Sequence, residues 1–198
     1  PLQSALARGG GGVHRDRLSA FGKRVGSLDA LEWGRLANEN PPKLKTFDRF
    51  GHRIDEVEFH PAYHQLMRLG LESGVSGAAW TAEQAGHTLH ASLLYLMTQA
   101  DAGTACPMSM TYAVVPALRA EPAVAAEWEP RVTSGRYDPR FIPAAEKTGA
   151  TLGMAMTEKQ GGSDVRANTT RAHALGMGEY ELIGHKWFCS APMADAFL

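Results

Sequence analysis

Apolar residues recur along the chain at two different periods, and the change falls near Gly149. Before it the spacing is helical. Ala82, Ala85, Leu89, Leu93, Leu96 and Ala100 follow one another at intervals of three and four, which places them on one face of a helix predicted over 81–100. Thr81 and Gln84 form the capping box that starts it, Gly103 stops it, and Leu94, Tyr95 and Met97 widen the apolar face enough to bury it on most sides. A shorter helix is predicted over 28–38, from Leu28, Leu31 and Leu36 with Trp33 between them, closed by Asn40-Pro41-Pro42. Another opens at Pro61, continues through Leu66, Met67 and Leu69, and ends at Gly70 and Gly74. Two more are predicted, from Pro107 to Pro116 and over 121–128. Residues 43–53 have few apolar anchors and 132–143 are broken by Gly135, Pro139 and Pro143, so both are expected to be loops, the second leading into a turn of helix over 144–148. Residues 1–27 carry the tract Gly9 to Gly12 and scattered Arg8, Arg15, Arg17, Lys23 and Arg24; they are expected to form a flexible, solvated arm.

After the change the pattern is of short runs of Thr, Val, Tyr, Ile and Phe broken by glycine. Strands are predicted near 151–157, 168–174, 180–184, 186–190 and 196–198, with 176–178 as a hairpin loop. The fold class expected is α+β: an N-terminal all-α helical domain over 1–149, then the first strands of an antiparallel β domain over 150–198. The final ADAFL reads as a strand in progress, and a sheet left open there is an edge that proteins normally cover. With no initial Met, the sequence is expected to be part of a longer protein.

Composition narrows the function classes. Among 198 residues, 44% are hydrophobic and 21% charged, the balance of an average globular protein. A net charge of −1 gives no field that would draw nucleic acid or anionic lipid to the chain as a whole. The two cysteines, Cys106 and Cys189, lie far apart without metal-ligand spacing, which fits a reducing, cytoplasmic setting. No apolar run approaches the roughly 20 residues needed to span a bilayer, and the glycine-rich start does not read as a secretory signal. His60 and His64 are four apart, but the helix lacks the Glu of a zinc-protease motif and no third ligand is evident; bonds to neighbours are expected for them, and for His87 and His90. No G-x-S-x-G, G-x-G-x-x-G or P-loop occurs.

Two stretches carry candidate chemistry. In 154–163, MAMTEKQGGS, a short strand runs into Gly161-Gly162 and then Ser163, which offers free backbone N–H groups and a hydroxyl to a phosphate or a polar ring; the same pattern also suits a plain hairpin. In 184–190, GHKWFCS, Trp187 stands beside small hydrogen-bonding residues. One hairpin separates the two stretches, so together they can flank one flat ligand, with Trp187 stacked on it and Thr157 and Ser190 bonding its edge. Glu158, placed in the turn, is expected to hold the loop by hydrogen bonds rather than to act as a base. The Met residues of 104–111 read as core, the alternative being that they line a ligand pocket.

MTEKQGGSDVRANTT followed by GHKWFCSAP resembles the middle domain of acyl-CoA dehydrogenases. TEKQGGSD in place of TEPGAGSD, together with NENPPKLKTFDRFGHRIDEVEFHPAYHQLM and ACPMSMTYAVVP, is similar to the AidB-like branch, which is linked to the response to DNA alkylation. The likeness covers most of 38–198. It implies an FAD-binding oxidoreductase that acts on CH–CH groups, passing a hydride from the β-carbon of an acyl-CoA-type molecule to the flavin. It also implies an alternative, a non-catalytic flavin-containing DNA-binding or protecting protein. On this resemblance Met154, Met156 and Thr157 run along the flavin. Gly161, Gly162 and Ser163 meet phosphate-bearing tails, and Trp187, Phe188, Cys189 and Ser190 pack on the ring. Cys189 stands where most members carry Thr and is a poor donor, which leaves Ser190 as its substitute, and Lys159 stands where the commoner motif has Pro. No catalytic residue and no metal ligand falls in this sequence. The resemblance places the catalytic glutamate, and the surface that would meet DNA, in a missing C-terminal helical domain. It also implies a homo-oligomer, tetramer or dimer, in which a neighbour completes the FAD site.

Overall fold

The computed structural model describes residues 2–198. As far as Val132 the chain is helical except for one hairpin: α1 (Leu2–Arg8), α2 (Arg15–Val25), α3 (Leu28–Glu39), β1 (Lys43–Phe47), β2 (Arg53–Glu58), α4 (Pro61–Ser73), α5 (Ala78–Thr81), α6 (Gly86–Met97), α7 (Ala105–Ala113), α8 (Val115–Leu118) and α9 (Pro122–Val132). Short strands follow: β3 (Leu152–Gly153), β4 (Arg171–Gly176), β5 (Glu179–Ile183) and β6 (Ala196–Phe197). The fold is α+β, with helices first and strands after. No helix among the described residues is long and apolar enough to cross a membrane.

The main core forms around α6, whose Leu89, Leu93 and Met97 repeat every fourth residue and are fully buried. Leu66, Met67 and Leu69 of α4 and Met108 of α7 pack on them. Gly70 does not end α4; it sits mid-helix, where a side chain would collide with Met108, and the helix stops at Gly74 in the left-handed conformation (φ 92°). The expected flexible arm is instead part of this core. Leu18, Phe21 and Val25 lie on one face of α2 and are buried with Leu6 of α1. The charges of 1–27 masked that apolar spacing, and the charges themselves are engaged. Arg17 donates to the Ser73 carbonyl at 2.8 Å and Arg24 to the Ser73 hydroxyl at 3.3 Å, at the end of α4 where free carbonyls attract cations.

Three further local expectations are corrected. In α3, capped by Ser27 Oγ accepting from the Ala30 N–H at 3.2 Å, the inward face is Ala30 and Gly34 with Trp33 and Ala37 beside them, while Leu28 is 86% exposed. Gly34 lies against the Ala100 carbonyl, so close approach of the backbones selected the small residues. The helix predicted over 81–100 is split. Thr81 donates its hydroxyl to the Gly77 carbonyl at 3.2 Å instead of capping, Ala85 turns left-handed, and α6 begins at Gly86, which is pressed against the Ala79 carbonyl. Residues 43–53 are not a loop: β1 and β2 form an antiparallel hairpin in register Lys43↔Glu58, Leu44↔Val57 and Lys45↔Glu56. Its strands are solvated and held by cross-strand charge pairs, so they lack the apolar alternation that marks a half-buried strand.

A second cluster joins the helices to the strands. Val114, Val115, Leu118 and Val132 pack with Ala150 and Leu152, and Trp80 and Trp128 flank them. The buried Thr111 hydroxyl accepts from the Leu152 N–H at 3.1 Å and so ties β3 to α7. β3 and β6 pair in parallel, through Leu152↔Ala196 and Gly153↔Phe197, whereas β4 and β5 form the expected antiparallel hairpin. A buried ion pair, Lys147 to Asp195 at 2.6 Å with the side chains 8% and 7% exposed, lies beside this junction. Asp195 also accepts from the Thr151 N–H at 2.8 Å. The runs 154–157 and 186–190 are not regular strands; isolated bridges link Glu158 to Gly161 and to Lys186.

Phe21→Ala tests whether α2 belongs to the core. It is expected to lower the free energy of unfolding by about 3–5 kcal/mol in urea titrations, against none for a solvated arm. His90 supplies a pH dependence. It is buried in a stack on Tyr112 (3.6 Å between ring centres) and bonded to the Val75 carbonyl at 2.5 Å. Burial, its largest influence, pushes its pKa below the ordinary 6.5. The folded state therefore favours neutral His90, and that stability is present above 6.5 and lost as the pH falls below it. The melting temperature should drop between about pH 7 and 5, and His90→Gln should flatten that drop.

Candidate functional site

One carboxylate draws the two motif stretches together. The Glu158 side chain is 1% exposed. Its Oε2 accepts from the Thr169 N–H at 2.8 Å, the Thr169 hydroxyl at 3.0 Å and the Gln160 amide at 2.7 Å. Its Oε1 accepts from the Thr170 N–H at 2.8 Å and faces the Lys186 ammonium at 3.4 Å. Around this centre the backbones join: the Trp187 N–H donates to the Thr157 carbonyl at 3.0 Å, and the Lys159 N–H to the His185 carbonyl at 3.1 Å. These donors, the Thr169 N–H first among them, hold the Glu158 carboxyl well below the usual carboxylate range. It stays ionised and fully engaged, so it fastens the loop and is no proton acceptor.

The other candidate residues take up distinct places. Met154 is half-buried against the second core cluster. Met156 is exposed, and its carbonyl accepts from the Asn168 amide at 2.7 Å. Thr157 is half-buried, with Gly162 pressed against its side chain, so that a Cβ at 162 would displace it. Gly161 stands in open space, and Ser163 beyond it is exposed. Trp187 is 47% exposed and Phe188 75%, their rings edge to face at 6.3 Å. Phe188 and Ala191 both adopt left-handed backbone (φ 56° and 53°), which breaks the strand expected over 186–190. That break decides a question of facing: Ser190 lines a cavity, and Cys189, exposed, does not.

The strip around Thr157 and Trp187 suits a flat polar ring. It offers a half-open indole face and the hydroxyls of Thr157 and Ser190, neither of which has a hydrogen-bond partner among the described residues. The buried acceptor Asn168 Oδ1, near Glu158, is also without a partner among the described residues.

The cavity itself was not legible from the motifs. An apolar hollow of about 290 Å3 lies among Phe59, Tyr63, Cys106, Pro107, Ser190 and Met193. Cys106 and Pro107 of the segment 104–111 line it, while Met108 is core. A more polar hollow of about 170 Å3 adjoins it, lined by His64, Tyr137, Arg140 and Lys147. The histidines have neighbours as partners: His60 Nδ1 accepts from the Ala62 N–H at 3.1 Å, His64 meets the Tyr137 hydroxyl at 2.7 Å and His87 the Tyr112 hydroxyl at 3.0 Å.

Glu158→Ala is expected to free the Thr169 and Thr170 amides, lowering their hydrogen-exchange protection by about tenfold or more relative to the amides of α6. Unchanged protection at both would show that the carboxylate does not organise the loop. Because the folded pKa is depressed, this stabilisation is present above the ordinary value of 4.5 and is lost only as the pH falls towards the folded value.

With the site described, its relatives can be placed. Residues 1–139 match the family described as the Adaptive response protein AidB N-terminal domain. The chain is 44% identical to the Putative acyl-CoA dehydrogenase AidB of Escherichia coli (strain K12), over 100% of this chain and 37% of that protein. It is 32% identical to Acyl-CoA dehydrogenase family member 11 of Caenorhabditis elegans, over 91% of this chain and 29% of that protein. Among solved structures, Bd2924 in its apo form superposes with a TM-score of 0.81 at 30% identity, over 98% of this chain and 40% of the other. Caenorhabditis elegans ACDH-11 in complex with C11-CoA does so with 0.77 at 29% identity, over 98% and 32%. The chain spans 37% and 29% of the lengths of the two curated relatives. With the family match running from residue 1 to 139 and a shared fold beyond it, this chain belongs to the AidB N-terminal domain family of acyl-CoA dehydrogenase-like proteins.

Proposed function

We propose that this chain forms the flavin-facing part of an FAD-binding, acyl-CoA dehydrogenase-like oxidoreductase that acts on CH–CH groups and serves the response to DNA alkylation. The observation that carries the proposal is the hydrogen-bonded pairing of Thr157 and Lys159 with Trp187 and His185 around Glu158, which sets a half-open indole and the Thr157 hydroxyl on one strip, with Ser190 of the same strip lining an apolar cavity. The names of the relatives support the acyl-CoA dehydrogenase reading, and the C11-CoA complex of ACDH-11 supports an acyl-CoA-type ligand.

In this reading Trp187 covers one face of the isoalloxazine with Phe188 beside it. Thr157 and Ser190 donate to its polar edge, Met154 and Met156 flank it, and Gly161, Gly162 and Ser163 approach the phosphates. When bound, FAD supplies an acceptor for hydride from the acyl β-carbon. The chain's own part is to hold the ring, to supply donors where reduction builds charge and to exclude water with the apolar wall. With Glu158 saturated by donors, the α-proton leaves to a base outside 2–198. DNA likewise meets a surface outside this chain, which carries a net charge of only −1. The exposed apolar residues of the β4–β5 hairpin, Leu175, Tyr180, Leu182 and Ile183, support assembly as a homo-oligomer. Free Cys106 and Cys189 support a cytoplasmic setting.

The protein incubated with FAD is expected to retain a flavin spectrum through gel filtration, and Trp187→Ala should raise the Kd for FAD by about tenfold. Failure to take up any flavin would sink the proposal. Flavin that is bound but not bleached by any of a panel of acyl-CoAs under anaerobic conditions would favour the alternative, a non-catalytic flavin-containing DNA-binding or protecting protein.

A further inference from the structure

The apolar hollow and the polar one beside it share Val57, Phe59, Tyr63, Pro107, Ala191 and Met193, so they are two lobes of one space. The motif strip reaches the apolar lobe through Ser190 and does not line the polar lobe. A chain entering from the strip therefore passes the apolar walls and Tyr63, which lines both lobes, before it reaches His64 and Tyr137.

The charges around the polar lobe cancel. Asp138 holds Arg140 through two bonds, at 2.8 and 2.6 Å. Lys147 is paired with Asp195 at 2.6 Å, and Glu58 with Lys45. Among the described residues every cation that lines the lobe is paired; Arg68, 6.0 Å from the Tyr137 ring centre, faces Glu72 at 3.6 Å, and Glu56, exposed on β2, would repel a carboxylate. Neutral hydrogen-bonding capacity is what remains. His64 uses Nδ1 for the Tyr137 hydroxyl at 2.7 Å, which leaves Nε2. The Tyr63 ring, stacked on Phe59 with 3.9 Å between centres, carries a hydroxyl without a partner among the described residues. Burial lowers the pKa of His64 and raises that of Tyr63, so both are neutral at physiological pH. A purely apolar chain end would desolvate these groups and leave them unpaired, whereas a polar end would satisfy them.

We infer that this space takes an acyl chain whose far end carries an uncharged hydrogen-bonding group, a hydroxyl or a carbonyl, recognised by His64 and Tyr63. The inference rests on the acyl-ligand reading proposed above and adds specificity to it. Calorimetric titration of the protein with octanoyl-CoA, ω-hydroxyoctanoyl-CoA and octanedioyl-CoA tests it. The hydroxylated thioester is expected to bind about tenfold more tightly than the plain one. His64→Leu and Tyr63→Phe should each bring that ratio towards one; the second keeps the stacked ring, so loss of fold does not explain its result. Equal affinity of the wild-type protein for the plain and hydroxylated chains would overturn the inference and leave the acyl reading standing. Tightest binding of the octanedioyl thioester would also overturn it, by showing a site for an anion. Binding of none of the three would remove the acyl reading, and the inference with it.

Discussion

Everything after the helical core depends on a buried negative charge. A carboxylate withdrawn from water is unfavourable unless donors replace its hydration, and Glu158 meets that condition with two backbone N–H groups, a hydroxyl, an amide and an ammonium. The donors come from three separate stretches, around 160, 169 and 186. Satisfying one side chain therefore fixes where each stretch lies, in a region whose only regular strands are short or solvated. An extended sheet would do this by ladder hydrogen bonds; here a side chain takes the place of the ladder, which lets Phe188 and Ala191 turn left-handed and aim Ser190 at the cavity.

The helical half contributes the opposite wall. Met108 can reach the backbone of α4 only because position 70 is glycine, and α7, which makes that contact, also presents Cys106 and Pro107. Thr111 and the second core cluster then carry the alignment across to β3. The Lys147–Asp195 pair closes the far side, close to where β6 lies parallel to β3. Breaking one partner of so buried a pair leaves a charge without hydration, which makes the junction sensitive to either residue alone.

Residues whose role follows from their own spacing were the most legible. The fourfold repeat of Leu89, Leu93 and Met97 marks a core helix wherever it occurs, and Pro61 with Gly74 brackets α4 by backbone conformation alone. The hairpin of β1 and β2 was hidden because its facing positions are charged, which leaves no apolar alternation in sequence. The fold of residues 2–27 was hidden by the reverse effect, a modest apolar stripe on α2 among conspicuous arginines. Face as well as existence is at stake in α3, where the larger Leu28 is exposed and the smaller Ala30 and Gly34 are buried, because the neighbouring backbone at Ala100 leaves no room for a side chain.

The sequence by itself determined the α+β class with helices first and strands after, the two motif stretches and the role of Glu158 as a loop fastener. Each of these is set by local chemistry: periodicity, proline and glycine backbone preferences, and a carboxylate placed in a turn. Only the tertiary structure decided that the helix after Thr81 breaks, that β3 and β6 run parallel, that Ser190 rather than Cys189 faces the cavity, and that Tyr63, His64 and Tyr137 meet around one space. Those outcomes depend on contacts between residues far apart in sequence, whose hydrogen bonds and close backbone approaches override what any short window prefers.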